Sequence, residues 1–400
     1  MSDLRPLLEQ ARAVQPRVVE LRRRIHAEPE LGLENCATRA KVLAALDGLG
    51  LEIEQHTTTS GLVATLRGAR PGPAVLLRAD TDALPMPEDT DVPFRSTRPG
   101  AMHACGHDAH TAMLVGAAHV LAARRESLAG DVVFMFQPGE EGFAGARAML
   151  DEGLLSRTPE IAGAFALHVT PLLEQGVVAT RRNGALLASA DFFAVDLRGK
   201  GGHASMPHDC RDPIPAACEV VLALQSLVTR EIPVHDPVVL SVTKLVAGTT
   251  GNVIPESARL EGTLRALSER SRKRASDGFE RVVRGVAQAH GVDAEVGLAR
   301  GYPVTENDPA FASFAFDVAD ELLGERGAIE FPGPIMGAED FSYVLQRVPG
   351  AMFFLGVKPP GIAEPAPVHS NRMLLGEDGM AYGVALHAAL ALRFLESRGR

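Results

Sequence analysis

Tryptophan is absent from the chain, and aromatic residues make up only 5% of it. Surfaces that stack on sugar rings or nucleobases depend on such side chains, so the shortage weighs against both. Basic runs are missing apart from Arg22-Arg23-Arg24, and the net charge is −10. A negative chain repels phosphate backbones, so nucleic acid is not an expected partner, and the Arg triplet reads as the solvated face of a helix. No segment approaches the roughly 18 uninterrupted apolar residues of a membrane span. Met1-Ser2-Asp3-Leu4-Arg5 carries charge where a secretory leader has an apolar core, so a soluble, cytoplasmic protein is expected. Cysteine is also scarce: Cys36, Cys105, Cys210 and Cys218 form no CxxC pair. That usage fits a reducing compartment and excludes a disulfide scaffold.

The chain is 400 residues long, 46% hydrophobic and 22% charged, a globular balance too large for one ordinary core. Residues 4–46 are helical in pattern, with a break at Pro29-Glu30-Leu31-Gly32. Short apolar runs then alternate with helical stretches: strands at 61–66, 74–77, 131–137, 161–167 and 177–180, and a helix at 109–124. Val132-Val133-Phe134-Met135-Phe136 is apolar on both faces, as in a central strand covered by helices. The expected fold class is therefore α/β, with a three-layer domain around a mostly parallel sheet. From about residue 186 the texture changes to strand, helix, strand, strand, helix, strand, the split βαβ or ferredoxin-like order. A catalytic domain of 1–185 and 300–400 with an insert at 186–299 follows.

Polar motifs fall at the ends of the expected core strands. These are Arg78-Ala79-Asp80-Thr81-Asp82, Pro138-Gly139-Glu140-Glu141-Gly142 and His168, with Met102-His103-Ala104-Cys105-Gly106-His107-Asp108 just before a helix. In open α/β sheets ligands gather at the carboxyl ends of strands. Thiolate, imidazole and carboxylate together suit zinc or its neighbours, whereas calcium or magnesium calls for oxygen alone. Of the adjacent Glu140 and Glu141, one can ligate while the other takes a proton from water. Cys105, His107, Glu141, His168 and His369 exceed what one tetrahedral ion needs, and two metals sharing a bridge explain the surplus. Cys36, Cys210 and Cys218 read as ordinary structural cysteines. His26, His56, His119, His235, His290 and His387 read as ordinary histidines, and His110 is open to either reading. Gly199-Lys200-Gly201-Gly202-His203 lacks the spacing of a phosphate loop.

The motifs Met102–Asp108, Gly139–Gly142, Leu167-His168-Val169 and Val368-His369-Ser370 resemble the co-catalytic metallo-amidohydrolases. Within these, the chain looks like the branch of hippurate hydrolases, aminoacylases and auxin-conjugate hydrolases, along essentially its whole length. The resemblance implies a catalytic domain with an inserted ferredoxin-like lid used for homodimerisation. It also implies two divalent metal ions, which could be zinc, manganese, cobalt or nickel. Cys105 takes the bridging place where the wider family uses Asp, His107, Glu141, His168 and His369 take the other ligand places, and Glu140 that of the general base. His203, Asn252 and Arg265 match substrate-contacting positions, and Asp80 that of an orienting residue behind the ligands. Arg78 stands where the wider family has a metal-binding His. The implied activity is hydrolysis of the amide bond of a small N-acyl amino acid. The alternatives are a dipeptidase or carboxypeptidase of the same chemistry, a deacetylase of a biosynthetic intermediate, and a non-catalytic binding protein that kept the fold.

Overall fold

The computed structural model describes residues 4–156, 160–324 and 327–398. The chain divides into two compact units. One holds the chain up to Asn183 with Glu306–Pro332 and the residues from Tyr343 onward, and the other holds Gly184–Thr305 with Gly333–Ser342. Gly333–Ser342 lies outside the 186–299 range expected for the insert.

The first unit is built on an eight-stranded sheet. At its centre Ala129–Gln137, Arg70–Asp80, Ile161–Thr170 and Gly350–Gly356 run parallel to one another. Toward one edge the sheet turns antiparallel, through Leu62–Leu66 and then Glu52–Gln55. The strand Gly350–Gly356 is buried at every position, which matches its uninterrupted apolar sequence. Expected strand limits were short in several places, and the 131–137 strand begins at Ala129. Arg70–Asp80 begins before residue 74, and the 161–167 strand continues to Thr170, so His168 lies within it rather than beyond its end.

Helices cover the sheet according to their apolar spacing. Arg5–His26 buries Leu7, Ala11, Val18, Leu21 and Ile25 at helical intervals, with Arg23, Arg24 and His26 in its last turn, where cations favour the helix dipole. His107–Ala122 and Met380–Arg398 are buried almost all round and pack on each other and on the Arg70–Asp80 strand. No helix among the described residues is long and apolar enough to cross a membrane.

The second unit has an antiparallel four-stranded sheet whose strands, in spatial order, are Val238–Ala247, Ser257–Ala266, Asp191–Arg198 and Asp293–Arg300. With helices Pro213–Glu231 and Glu269–Ala289 this gives the ferredoxin-like order. Asp191–Arg198 alternates strictly between buried and less buried positions, and Phe193 packs on Phe279 in a core of its own.

Candidate metal centre

The three loops that carry the site are positioned by neighbouring strands and by one helix start. Arg70–Asp80 and Ala129–Gln137 pair in parallel with Asp80 opposite Gln137, so Thr81-Asp82 and Pro138–Glu141 leave the sheet side by side. Gly139 turns the second loop at φ +71°. Gly106, at φ +88°, sits between Cys105 and His107 and starts the buried helix. A β-carbon there would lie 2.3 Å from Cγ2 of Val169, so glycine meets both a backbone and a space requirement.

These loops, the Ile161–Thr170 strand and the segment around His369 bring the expected ligands together. Possible donor atoms of Cys105, His107 and His168 lie within 4.8 Å of one another, and so do those of Cys105, Glu141 and His369. The sulfur of Cys105 belongs to both groups. A further group joins His107, Glu141 and the buried Glu140. His168 Nε2 is 3.3 Å from Cys105 Sγ, and His369 Nε2 is 3.2 Å from a Glu141 oxygen. His369 adopts a left-handed backbone, φ +66°, held in part by its amide donating to the carbonyl of Ala104 at 2.8 Å. Such a conformation is rare outside glycine and marks a constrained position.

The imidazoles are oriented as ligands are. His107 Nδ1 lies 2.9 Å from the carbonyl of Asp82, and His168 Nδ1 lies 2.7 Å from that of Val169. A carbonyl only accepts, so each Nδ1 donates, which leaves each Nε2 as the nitrogen that could ligate. Nε2 of His107 is buried and has no hydrogen-bond partner among the described residues. A buried polar atom left open in this way marks a place that a metal ion in exchange for a proton would fill. The donor set of one thiol, three imidazoles and a carboxylate suits a transition metal.

Electrostatics agree with that fit. Burial pushes the Cys105 thiol up, against the pull of His107. Burial lowers His107, but Asp80 and Cys105 outweigh it and hold the imidazole well above its usual range. His369 is raised to about 10 by its hydrogen bonds to Cys105 and Glu141. Burial raises Glu141, yet His369 and His107 draw it below the ordinary carboxylate value. The pocket thus favours positive charge. His168 is kept well below its normal value, first by burial and then by His110, which leaves it neutral and able to ligate.

Asp80 and its neighbours form a second layer. The fully buried Arg78 donates from Nη1 to Asp80 at 2.7 Å and from Nε to Gln137 at 2.9 Å. The other Asp80 oxygen accepts from His110 Nδ1 at 2.6 Å, while His110 Nε2 accepts from the amide of Val169 at 2.7 Å. Both His110 nitrogens are thereby used within the protein, which answers the question its sequence position left open. Asp80 is also 3.5 Å from His107 Nε2. Burial works against its ionisation, but Arg78, His107 and His110 hold it well below the carboxylate range. His103, despite its place beside Cys105, is turned away toward His26 and Asp108. His26 and Arg22 both contact the same Asp108 oxygen, at 2.8 Å and 2.7 Å, and His26 also meets Glu88.

His203, Asn252 and Arg265 belong to the second unit. The Gly202–His203 and Val253–Ile254 strands pair with Val253 opposite His203, and the carbonyl of Asn252 accepts from the amide of Ala204 at 3.1 Å. His203 and Asn252 are therefore neighbours on one exposed ribbon. Arg265 lies on a different sheet, opposite Val239. Asp82 carried no role in the motif reading, although it stands in the quoted Arg78–Asp82 run. Its carboxylate accepts from the amides of Glu140 and Glu141. An acidic residue just past a strand end is the one signal that pointed to it.

Residues 76–393 match the model of peptidase family M20/M25/M40. IAA-amino acid hydrolase ILR1-like 4 of Arabidopsis thaliana is 40% identical over 94% of this chain and 86% of its own. Thermostable carboxypeptidase 2 of Saccharolobus solfataricus is 36% identical over 98% of this chain and 99% of its own. Among solved structures, the YXEP protein of Bacillus subtilis, a dinuclear metal-binding peptidase of the M20 family, superposes with a TM-score of 0.84. It is 33% identical, with 96% of this chain and 99% of that one covered.

Proposed function

The chain belongs to peptidase family M20/M25/M40, and from that premise we propose that it hydrolyses the amide bond of N-acyl amino acids with two divalent metal ions. The observation that carries the reading is the position of Cys105, whose sulfur is common to two ligand groups. His107 and His168 would hold one ion with Cys105, and Glu141 and His369 the other. Such a pair supplies Lewis acidity at the scissile carbonyl.

The remaining chemistry falls to the chain's own side chains. Glu140 is buried and close to the ligand atoms of His107 and Glu141, yet stands outside both Cys105 groups. Its carboxylate accepts a proton from the attacking water and returns it to the nitrogen of the departing amino acid. His168, neutral and tied through Nδ1, keeps its ligating nitrogen available throughout. His203, Asn252 and Arg265 are proposed substrate contacts, on the match of their motifs.

Two similar proteins support the substrate class from different sides. A hydrolase of an amino-acid conjugate and a carboxypeptidase both free an amino acid from an amide. The carboxypeptidase makes peptides the second reading. The test is hydrolysis by metal-stripped protein with zinc, manganese, cobalt or nickel restored, on N-acetyl and N-benzoyl amino acids beside dipeptides and N-blocked peptides. Turnover of the N-acyl amino acids at about two ions per chain is expected. Turnover of peptides alone would replace this reading with the carboxypeptidase one, and metal binding without turnover of any amide would reject catalysis.

A further inference from the structure

We propose that Phe143 selects the acyl group of the substrate, its ring forming with Leu31 an apolar ledge for an aromatic or long-chain acyl group. The inference rests on the functional reading above and adds to it the part of the substrate that the metal ligands leave unspecified. Among the described residues Phe143 is the one exposed phenylalanine of the first unit, with 56% of its surface open, and Leu31 is open to 42%. Phe143 stands two residues past Glu141 and three past Glu140. At no more than about 3.6 Å per residue, its α-carbon lies within roughly 7 Å and 11 Å of theirs. A large apolar surface left in water that close to the proposed centre marks a substrate contact rather than core.

The ledge is built into the backbone. Gly32 has φ +64°, and a β-carbon there would lie 3.3–3.4 Å from three tip atoms of the Phe143 ring. The ring therefore rests on Gly32, which is buried. The turn that presents Phe143 closes on itself. The amide of Gly142 donates to the carbonyl of Glu140 at 2.7 Å, and that of Gly145 donates to the carbonyl of Gly139 at 3.1 Å. Beside Phe143, Ala144 takes a left-handed backbone, φ +55°, which is rare for a residue with a side chain. Leu31 bridges to Ala83, next to the Asp82 carboxylate that accepts from the amides of Glu140 and Glu141. Phe143 and Leu31 are thus both tied to the turn that carries the base. Neither side chain can pair with the carboxylate of the departing amino acid, so the uncharged acyl side is what the ledge fits. A benzoyl ring or an extended alkyl chain has apolar area to cover it, and an acetyl methyl has little.

The experiment compares kcat/KM of the metal-loaded parent with Phe143→Ala and Phe143→Leu on the N-acetyl and N-benzoyl forms of alanine and phenylalanine. One methylene in an apolar pocket discriminates about 10–200-fold, and a half-open ledge falls at the low end. The parent should prefer benzoyl. Its benzoyl-to-acetyl ratio should fall about tenfold in Phe143→Ala and by less in Phe143→Leu, whichever amino acid leaves. Metal content and circular dichroism confirm that each variant compared is loaded and folded. A fall of less than about threefold in Phe143→Ala overturns the inference, and so does a loss that follows the leaving amino acid instead of the acyl group. If the parent cleaves dipeptides alone, the functional reading is rejected, and the ratio of Phe-Gly to Ala-Gly decides the ledge by the same limits. A parent that cleaves no amide rejects both.

Discussion

Replacing Cys105 with Ala and, separately, His168 with Ala tests whether one sulfur serves two ions. Cys105 Sγ belongs to the group with His107 and His168 and to the group with Glu141 and His369. Without it, each group keeps two donors, fewer than the three protein ligands a catalytic zinc site ordinarily has. Loss of a supporting residue costs about 10–100-fold in metal affinity, so a direct ligand should cost at least the upper figure, about 100-fold per ion. Two decades correspond to about 2.7 kcal/mol for each ion. Cys105→Ala should therefore weaken both ions to that extent. His168→Ala removes a donor from one group only and should weaken one ion while sparing the other. Metal content after dialysis against a graded chelator series, with circular dichroism to confirm folding, reads both outcomes. The reasoning fails if Cys105→Ala keeps one tightly bound ion and behaves like His168→Ala.

Glu140→Gln preserves the amide that Asp82 accepts from, so metal content should hold while kcat falls about 10²–10⁴-fold, and activity within tenfold of the parent would remove Glu140 as the base. Gly106→Ala places a side chain at φ +88° and 2.3 Å from Val169 Cγ2. The left-handed backbone and the overpacking together should cost about 2–4 kcal/mol in urea unfolding and weaken metal binding, and an unchanged midpoint would refute the packing account. Glu88 is opposed by burial but drawn from 4.5 to about 2 by His26, the amide of Ser96 and Thr90. A depressed acid stabilises above its unfolded value and loses that contribution as pH falls through its folded value. Glu88→Gln should thus be less stable by roughly 2–3 kcal/mol at pH ~6, with the gap to the parent closing between pH ~4.5 and ~2. A gap that stays constant over that window would show that Glu88 is not held by its charge.

Arg78 gives this centre part of its character. Its guanidinium pairs with Asp80 inside the core. An ion pair this deeply buried needs further hydrogen bonds, and Gln137 and His110 supply some of them here. Asp80 consequently reaches His107 as part of a neutralised network, rather than as a free carboxylate beside the metal site.

The sequence by itself named the candidate ligands of the centre and the kinds of element that carry them. Cys105-Gly106-His107, Glu140-Glu141, His168 and His369 are legible because metal ligands must be particular side chains, and side chains are what a sequence writes. Continuous apolar runs such as Val132–Phe136 identified central strands for the same reason, and strict alternation identified Asp191–Arg198 as half-exposed. Only the tertiary structure decided which atoms share the sulfur of Cys105, how both nitrogens of His110 are used, and what Asp82 does. The order of strands across the sheet was equally out of reach, since pairing Arg70–Asp80 with Ala129–Gln137 joins segments far apart in the chain. Asp82 acts on main-chain amides, which every residue but proline carries, so the groups it holds leave no mark in the sequence that could have named their partner.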